Sequence, residues 1–240
     1  MDVGIVLGVV GLLLAVVLWL VPKESVTRIF KTYSVIHYVN KKNLRSDFRI
    51  AIVDDELDSY PVQYIKDLGF TTKEYESVSF ADSDSLVEND LVLLDVKGVV
   101  REDLDEGGAK LIKIIKESRP LLPVVAVSSG YFHTELNDYF RSSDATLNKP
   151  IDEFKIRELL NELKKEFFDE SHIATNIEDC IKKLELSASK KNKLNKVVVD
   201  YLSKKLSLVD FTNIVHQNAR GSAQEIIDNS KILLDRITNA

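Results

Sequence analysis

A five-stranded parallel α/β sheet, doubly wound and flanked by helical segments, is the fold class that three features of the sequence predict. Short apolar runs alternate with helix-patterned stretches from residue 48 to about 169. Several of those runs end in acidic or hydroxyl residues, and everything after residue 170 carries helical spacing alone. Strands that alternate with helices in this way lie parallel, with helices on both faces.

The 240 residues, 45% hydrophobic, can bury one ordinary core with material left for flanking elements. A net charge of −6 gives no overall bias toward nucleic acid. A single cysteine, Cys180, excludes an internal disulfide and any cysteine-based metal site, which suits a reducing compartment.

Residues 3–21 (VGIVLGVVGLLLAVVLWLV) contain no charge, and at about 1.5 Å per residue they nearly cross a hydrocarbon core of about 30 Å. Asp2 stands where a signal peptide needs a basic region, and no small-x-small cleavage site follows. Residues 1–22 are therefore expected to be a retained single-pass anchor. In the flank, Lys23, Arg28, Lys31, Lys41, Lys42, Arg45 and Arg49 face only Glu24 and Asp47. The positive-inside rule then puts everything after residue 22 on the cytoplasmic side of the inner or plasma membrane. Trp19 fits the interfacial belt, and Gly4 with Gly8 forms one GxxxG, which leaves a homodimer through the span open. In residues 23–47, Val26, Ile29, Phe30, Tyr33, Ile36 and His37 fall at three- and four-residue spacings. This juxtamembrane helix or linker could lie on the bilayer, pair with a copy of itself, or pack on the next domain.

FRIAIV is the first strand, followed by a helix over 60–68 and a weak second strand over 71–75. ADSDSLVEN offers barely two turns of helix before the third strand, DLVLLD, 90–95. A helix over 108–118 follows, and Pro120 and Pro123 bracket the entry to the fourth strand, LPVVAVSS. A helix over 134–140, a fifth strand in DATLNKP and a helix over 152–168 complete five strand–helix units spanning 48–169.

In an open parallel sheet, ligands gather outside the carboxyl ends of the strands. Asp54 and Asp55 end the first strand, Asp95 the third and Ser128 the fourth, while Lys149 lies just beyond the fifth. All five should converge on one rim. Three carboxylates that close repel strongly even at an intermediate dielectric and call for a divalent cation, for which magnesium is the suitable hard ion. The acidic pair alone has another reading, since Asp55 or Asp58 could cap the first helix.

With IVDDE after the first strand, LLD at the third, VSS at the fourth and KP after the fifth, residues 48–169 resemble the receiver domain of two-component response regulators. The resemblance implies a flavodoxin-like sheet. It makes Asp95 the phospho-acceptor, Asp54 and Asp55 the magnesium-holding pair, and Lys97 the donor of a backbone carbonyl to the metal. It makes Ser128 the switch hydroxyl and Lys149 the phosphoryl-binding lysine. A phosphohistidine on a histidine kinase or phosphotransfer protein would be the donor, and the output would be altered protein–protein interaction with a downstream protein rather than enzymatic turnover. The sequence departs from that pattern twice. DVKGVVREDLDEGG reaches Gly107 and Gly108 through a long charged loop, and Thr146 stands where such domains carry an aromatic switch residue. The loop over 97–107 is therefore the expected moving part. Two other readings stay open: a receiver-shaped scaffold without chemistry, and an aspartate-nucleophile phosphatase. The haloacid dehalogenase type of phosphatase has a second Asp where Lys97 stands.

Residues 170–240 carry three apolar stripes: Leu194, Val197, Val198, Tyr201 and Leu202; Phe211, Ile214 and Val215; and Ile226, Ile227, Ser230, Leu233 and Leu234. Three or four helices in a small bundle or a dimerisation hairpin are expected. KKNK at 190–193 enriches lysine locally, but the charges are mixed and no pair of DNA-reading helices is present, so nucleic acid is not an expected partner. VHQNARGS places Arg220 four residues after His216, one position later than phosphotransfer histidine motifs do. That slip turns Arg220 by about 100° around a helix. His216 therefore reads as an exposed helical histidine before a glycine that ends its helix. His37, His133 and His172 share no metal-ligand spacing.

Overall fold

The computed structural model describes residues 32–42, 44, 47–129 and 142–239. The expected span at 3–21 and the helix expected at 134–140 lie outside the described residues. Among the described residues no helix is long and apolar enough to cross a membrane.

In chain order the elements are α1 (Val35–Asn40), β1 (Phe48–Val53), α2 (Val62–Asp67), β2 (Phe70–Tyr75), α3 (Ser83–Val87), β3 (Leu91–Asp95) and α4 (Gly107–Ser118). They continue as β4 (Val124–Ser128), β5 (Ala145–Asn148), α5 (Glu153–Leu163), α6 (Glu170–Lys183), α7 (Ala188–Leu202), α8 (Leu208–Ala219) and α9 (Ala223–Asn239). The strands form one parallel sheet in the order β2-β1-β3-β4-β5. Strand order reverses between β1 and β3, so the two acidic strand ends flank the switch point.

Side-chain alternation splits the apolar runs between two cores. Ile50, Ile52, Leu91, Leu93, Val125, Val127 and Leu147 meet Ile65 of α2 and Ile156, Leu159, Leu160 and Leu163 of α5. On the opposite face Ala51, Val53, Val92, Leu94, Val124 and Ala126 meet Leu86 of α3 and Leu111, Ile112 and Ile115 of α4. Each Leu or Ile buried this way is worth roughly 1.5–3 kcal/mol. The second strand reads weakly because β2 is an edge strand with no fully buried residue. The first helix is shorter than expected, with a 3₁₀ turn at Leu57–Ser59 ahead of it. The helix expected over 152–168 is α-helical only to Leu163 and then widens into a π-helical turn, Lys164–Phe168, which leads into α6.

α6 to α9 form a bundle, and α1 belongs to it rather than to the sheet domain. Val35 and Val39 are buried among Ile173, Ile177, Val198 and Leu202. α1 thus packs on the C-terminal helices, a destination not among those expected for the juxtamembrane helix. The N-terminus of α1 is held by the Glu178 carboxylate, which accepts from the Val35 and Ile36 amides at 2.7 and 3.2 Å and from the Ser34 hydroxyl at 2.8 Å. An anion at a helix N-terminus also opposes the helix dipole favourably.

The bundle meets the sheet at the amino ends of the strands. Arg236 of α9 donates to Asp90 at 2.9 Å and to Glu170 at 3.0 Å, and its guanidinium stacks 4.9 Å from the Phe48 ring centre. Arg119 donates to Asp235 at 2.8 Å and to the carbonyls of Val87 and Asn89 at 2.9 Å each.

Candidate functional site

The opposite rim of the sheet gathers the polar residues singled out by the sequence. β1 delivers Asp54 and Asp55, β3 ends at Asp95, β4 ends at Ser128, and Lys149 follows β5 at a cis peptide bond to Pro150. Hydrogen-bond register aligns them: Lys149 N–H donates to the Ser128 carbonyl at 2.9 Å, next to the Asp95–Val127 pair.

Lys149 ties the cluster together. Its ammonium donates to Asp54 Oδ1 and to Asp95 Oδ2 at 2.8 Å each, and reaches Glu56 Oε2 at 3.3 Å. Burial works against that charge, but the bonds to Asp54 and Asp95 outweigh it and hold Lys149 above the usual lysine range. Asp54 is fully buried and Asp95 nearly so. Burial raises the Asp95 carboxyl above its ordinary value; the Lys149 bond and the Lys97 N–H, which donates to Asp95 Oδ1 at 3.1 Å, oppose that shift without cancelling it. Lys97 thus enters by its backbone, while its side chain is exposed.

The alternative that Asp55 or Asp58 caps the first helix is not realised. The N-cap of α2 is Pro61, with no side-chain capping bond, and the 3₁₀ turn before it has none either. Asp55 instead stands exposed beside Gly98. Gly98 has φ +79, and a Cβ there would come within 3.0 Å of Asp55 Oδ2.

Two features of the site escaped the sequence. Tyr60, buried under the rim, donates its hydroxyl to Asp54 Oδ2 at 2.8 Å. Burial and then the Asp54 charge push that hydroxyl far above the ordinary tyrosine range, so it stays a donor. With the Glu56 amide and Lys149 both on Oδ1, Asp54 is fixed from three sides. Nothing in DDELDSYP signals this, because the contact depends on the 3₁₀ turn folding Tyr60 back. The second feature is Gly108, where α4 passes directly over the acceptor strand. A Cβ there would strike the Asp95 carbonyl oxygen and lie 2.7 Å from Val96 Cα. Gly108→Ala should therefore cost about 1–3 kcal/mol as overpacking and displace Asp95. Gly221→Ala, with nothing within 4 Å, is the control and should be close to neutral. Thermal melts with magnesium titration calorimetry would check both, and equal melting of the two variants would contradict it.

The long loop after Asp95 is not the loose segment its charges suggest. Val99 and Val100 are fully buried, Val100 pairs with Val78 in a parallel bridge, and Gly98 N–H donates to the Leu104 carbonyl at 2.8 Å. Lys110 clamps Asp103 at 2.6 Å and Glu106 at 3.3 Å. The loop expected to be the moving part is thus anchored through Val99 and Val100, while Arg101, Glu102, Leu104, Asp105 and Glu106 face solvent. Thr146 is exposed on β5. His216 is exposed on α8, but the helix ends at Ala219, with the positive φ at Arg220 rather than at Gly221.

One oxygen from each of Asp54, Asp55 and Asp95 lies within 4.8 Å of the others. A set of all-carboxylate oxygens fits a small hard divalent cation, and the Lys149 ammonium offsets only part of the charge of the three carboxylates.

No family model and no curated protein matches the chain. Among solved structures, it is 28% identical to a CheY-like response regulator receiver domain protein from Methanospirillum hungatei JF-1. That match covers 52% of this chain and 97% of the other at a TM-score of 0.41. The receiver domain of NtrX from Brucella abortus is 25% identical over 47% of this chain and 95% of that one, at 0.39. A two-component response regulator from Clostridium difficile is 17% identical over 49% and 93%, also at 0.39.

Proposed function

We propose that the chain is a membrane-anchored receiver that accepts a phosphoryl group on Asp95 in a magnesium-dependent phosphorelay and signals through altered protein association. The observation that carries this reading is Lys149 bridging Asp54 and Asp95 at 2.8 Å each, beside an acidic cluster suited to a divalent cation. Asp54, Asp55 and Asp95, with the Lys97 carbonyl that the family resemblance assigns, would hold magnesium. When bound, the ion offsets charge on the phosphoryl oxygens.

The residues supply the rest. Lys97 N–H and Lys149 orient the Asp95 carboxylate, one oxygen of which attacks the phosphorus of a phosphohistidine as the phosphorus–nitrogen bond breaks and the imidazole leaves. Lys149 then exchanges a carboxylate partner for a phosphoryl oxygen. Ser128, at the end of the neighbouring strand, would hydrogen-bond the new group. A histidine kinase or phosphotransfer protein is the proposed donor, and the inner or plasma membrane the proposed location, with 23–240 on the cytoplasmic side. The output is a change of contacts rather than turnover of a substrate.

Incubating the full chain in lipid nanodiscs with a small phosphodonor and magnesium tests this. The expected result is one stable phosphoryl adduct, localised to Asp95 by mass spectrometry and absent from Asp95→Asn. Steady phosphate release without an adduct would support an aspartate phosphatase instead, and no modification at all a scaffold.

A further inference from the structure

We infer that the end of the helical bundle farthest from the sheet is a docking surface for an anionic lipid bilayer; the inference rests on the membrane anchor proposed above. The bundle has a defined direction. α6 starts at Glu170, in the seam with the sheet through Arg236, and ends at Lys183. Its 14 residues carry the chain about 20 Å away from that seam. α7 returns from there and α8 goes out again, and a cleft lined by Glu185, Lys190, Gln217, Asn218 and Arg220 brings the α8–α9 junction to the same end.

That end is basic. Lys182 and Lys183 close α6, Lys190, Lys191 and Lys193 open α7, and Arg220 joins them at the cleft. Lys191 donates to the Lys182 carbonyl at 2.6 Å, which fixes the two lysine groups against each other. The nearby acids compensate only partly: Glu178 is spent on the N-terminus of α1, Asp179 pairs with Lys182 at 2.9 Å, and Glu185 lies in the loop between α6 and α7. Glu225, in the first turn of α9 beside Cys180, is a fourth acid, so six cations against four carboxylates leave an excess of two on the tip of a chain whose formal net charge is −6.

A lysine-rich helix face alone is ordinary solvated surface. What distinguishes this one is that the chain arrives there from the expected span. α1 runs antiparallel to α6, with Ser34 at Glu178 and Asn40 at Ser171. Tyr33 is clasped by α7: its N–H donates to Asn192 at 2.7 Å, its carbonyl accepts from Asn195 at 3.1 Å, and the Lys196 ammonium lies 5.7 Å from its ring centre. Only residues 22–32 separate Tyr33 from residue 21. Even fully extended, those eleven residues reach about 40 Å. The basic tip is thereby held within reach of the bilayer and faces it, while the acidic rim lies at the far end of the molecule. Anionic headgroups attract basic residues so placed over about a Debye length.

The test uses the full chain in nanodiscs of phosphatidylcholine with or without phosphatidylglycerol, probed with an amine-reactive label read by peptide mass spectrometry. Labelling of Lys182, Lys183, Lys190 and Lys193 should fall about threefold or more in the anionic discs. Exposed Lys73 and Lys113, on the sheet domain, should be unchanged, and Lys190→Glu with Lys193→Glu should restore labelling of Lys182 and Lys183. Equal labelling in both discs, with the chain retained through an alkaline wash, would overturn the docking surface alone. Loss of the chain in that wash would remove the anchor and this inference with it. Equal protection by duplex DNA in neutral discs would mark a general polyanion site and also overturn the assignment.

Discussion

Lys149→Ala is expected to lower the unfolding free energy by about 3–5 kcal/mol in magnesium-free buffer, the cost of leaving buried charge without its partner. Asp54 is 0% exposed and Asp95 7%, and the lysine side chain between them is itself 7% exposed. Without the ammonium, two buried carboxylates face each other with only dipolar donors: the Tyr60 hydroxyl and the Glu56 amide on Asp54, and the Lys97 amide on Asp95. Magnesium should return a good part of the loss, because a divalent ion among the same carboxylates replaces the missing positive charge. Asp95→Asn added to Lys149→Ala should also recover stability, by removing one of the opposed anions. Denaturant titrations of the wild type and both variants, with and without magnesium, separate these terms. A Lys149→Ala protein as stable as wild type without metal would mean that the lysine does not neutralise the cluster.

The sheet and the rim were legible in the sequence because both follow from periodicity. A parallel strand buried on both faces must be apolar along its length, and LVLLD, VVAVS and IAIV are, so their ends mark where polar chemistry can begin. Contacts set by the path of the chain were not legible. The stripe on 23–47 showed that a helix had an apolar face, but not that Val35 and Val39 would be covered by helices more than a hundred residues later. The charges of REDLDEGG suggested a mobile loop, whereas two valines before them pair with and pack against the strip around Val78. Tyr60 gave no signal because its partner is chosen by a turn rather than by spacing. Gly107 and Gly108 were noted as a sequence departure; what they make room for, the Val100 side chain at Gly107 and the backbone of Asp95 at Gly108, needs coordinates to be seen.

Arg236→Ala should loosen the bundle's seat on the sheet, where Arg119 still holds Asp235, while leaving the acidic rim intact. The Arg236 and Asp90 side chains are 6% and 3% exposed, and the guanidinium also serves Glu170 and lies over Phe48 and Phe168. Truncation would take from buried Asp90 its closest guanidinium, leaving the Arg49 amide at 2.9 Å and the Arg49 guanidinium at 3.9 Å, at a cost of about 3–5 kcal/mol. Because this loss falls on the seam and not within either core, it should split unfolding into two transitions, seen by calorimetry, with α9 losing hydrogen-exchange protection first. Magnesium affinity should stay within about twofold of wild type, since independent distant sites add. The same variant also tests how a signal leaves the rim. β3 carries Asp95 at its carboxyl end, and Asp90 immediately precedes its amino end. A charge change at the acceptor therefore has a short, stiff route to Arg236 along a five-residue strand whose middle three residues, Val92 to Leu94, are paired on both sides. With beryllofluoride and magnesium as a phosphoryl mimic, exchange in α9 should respond in the wild type and not in Arg236→Ala, while exchange around Ser128 responds in both. A response in α9 that survives the substitution would send the signal by another path, and the chain offers two covalent ones: the π-helical turn between α5 and α6 and the link from α1 to β1.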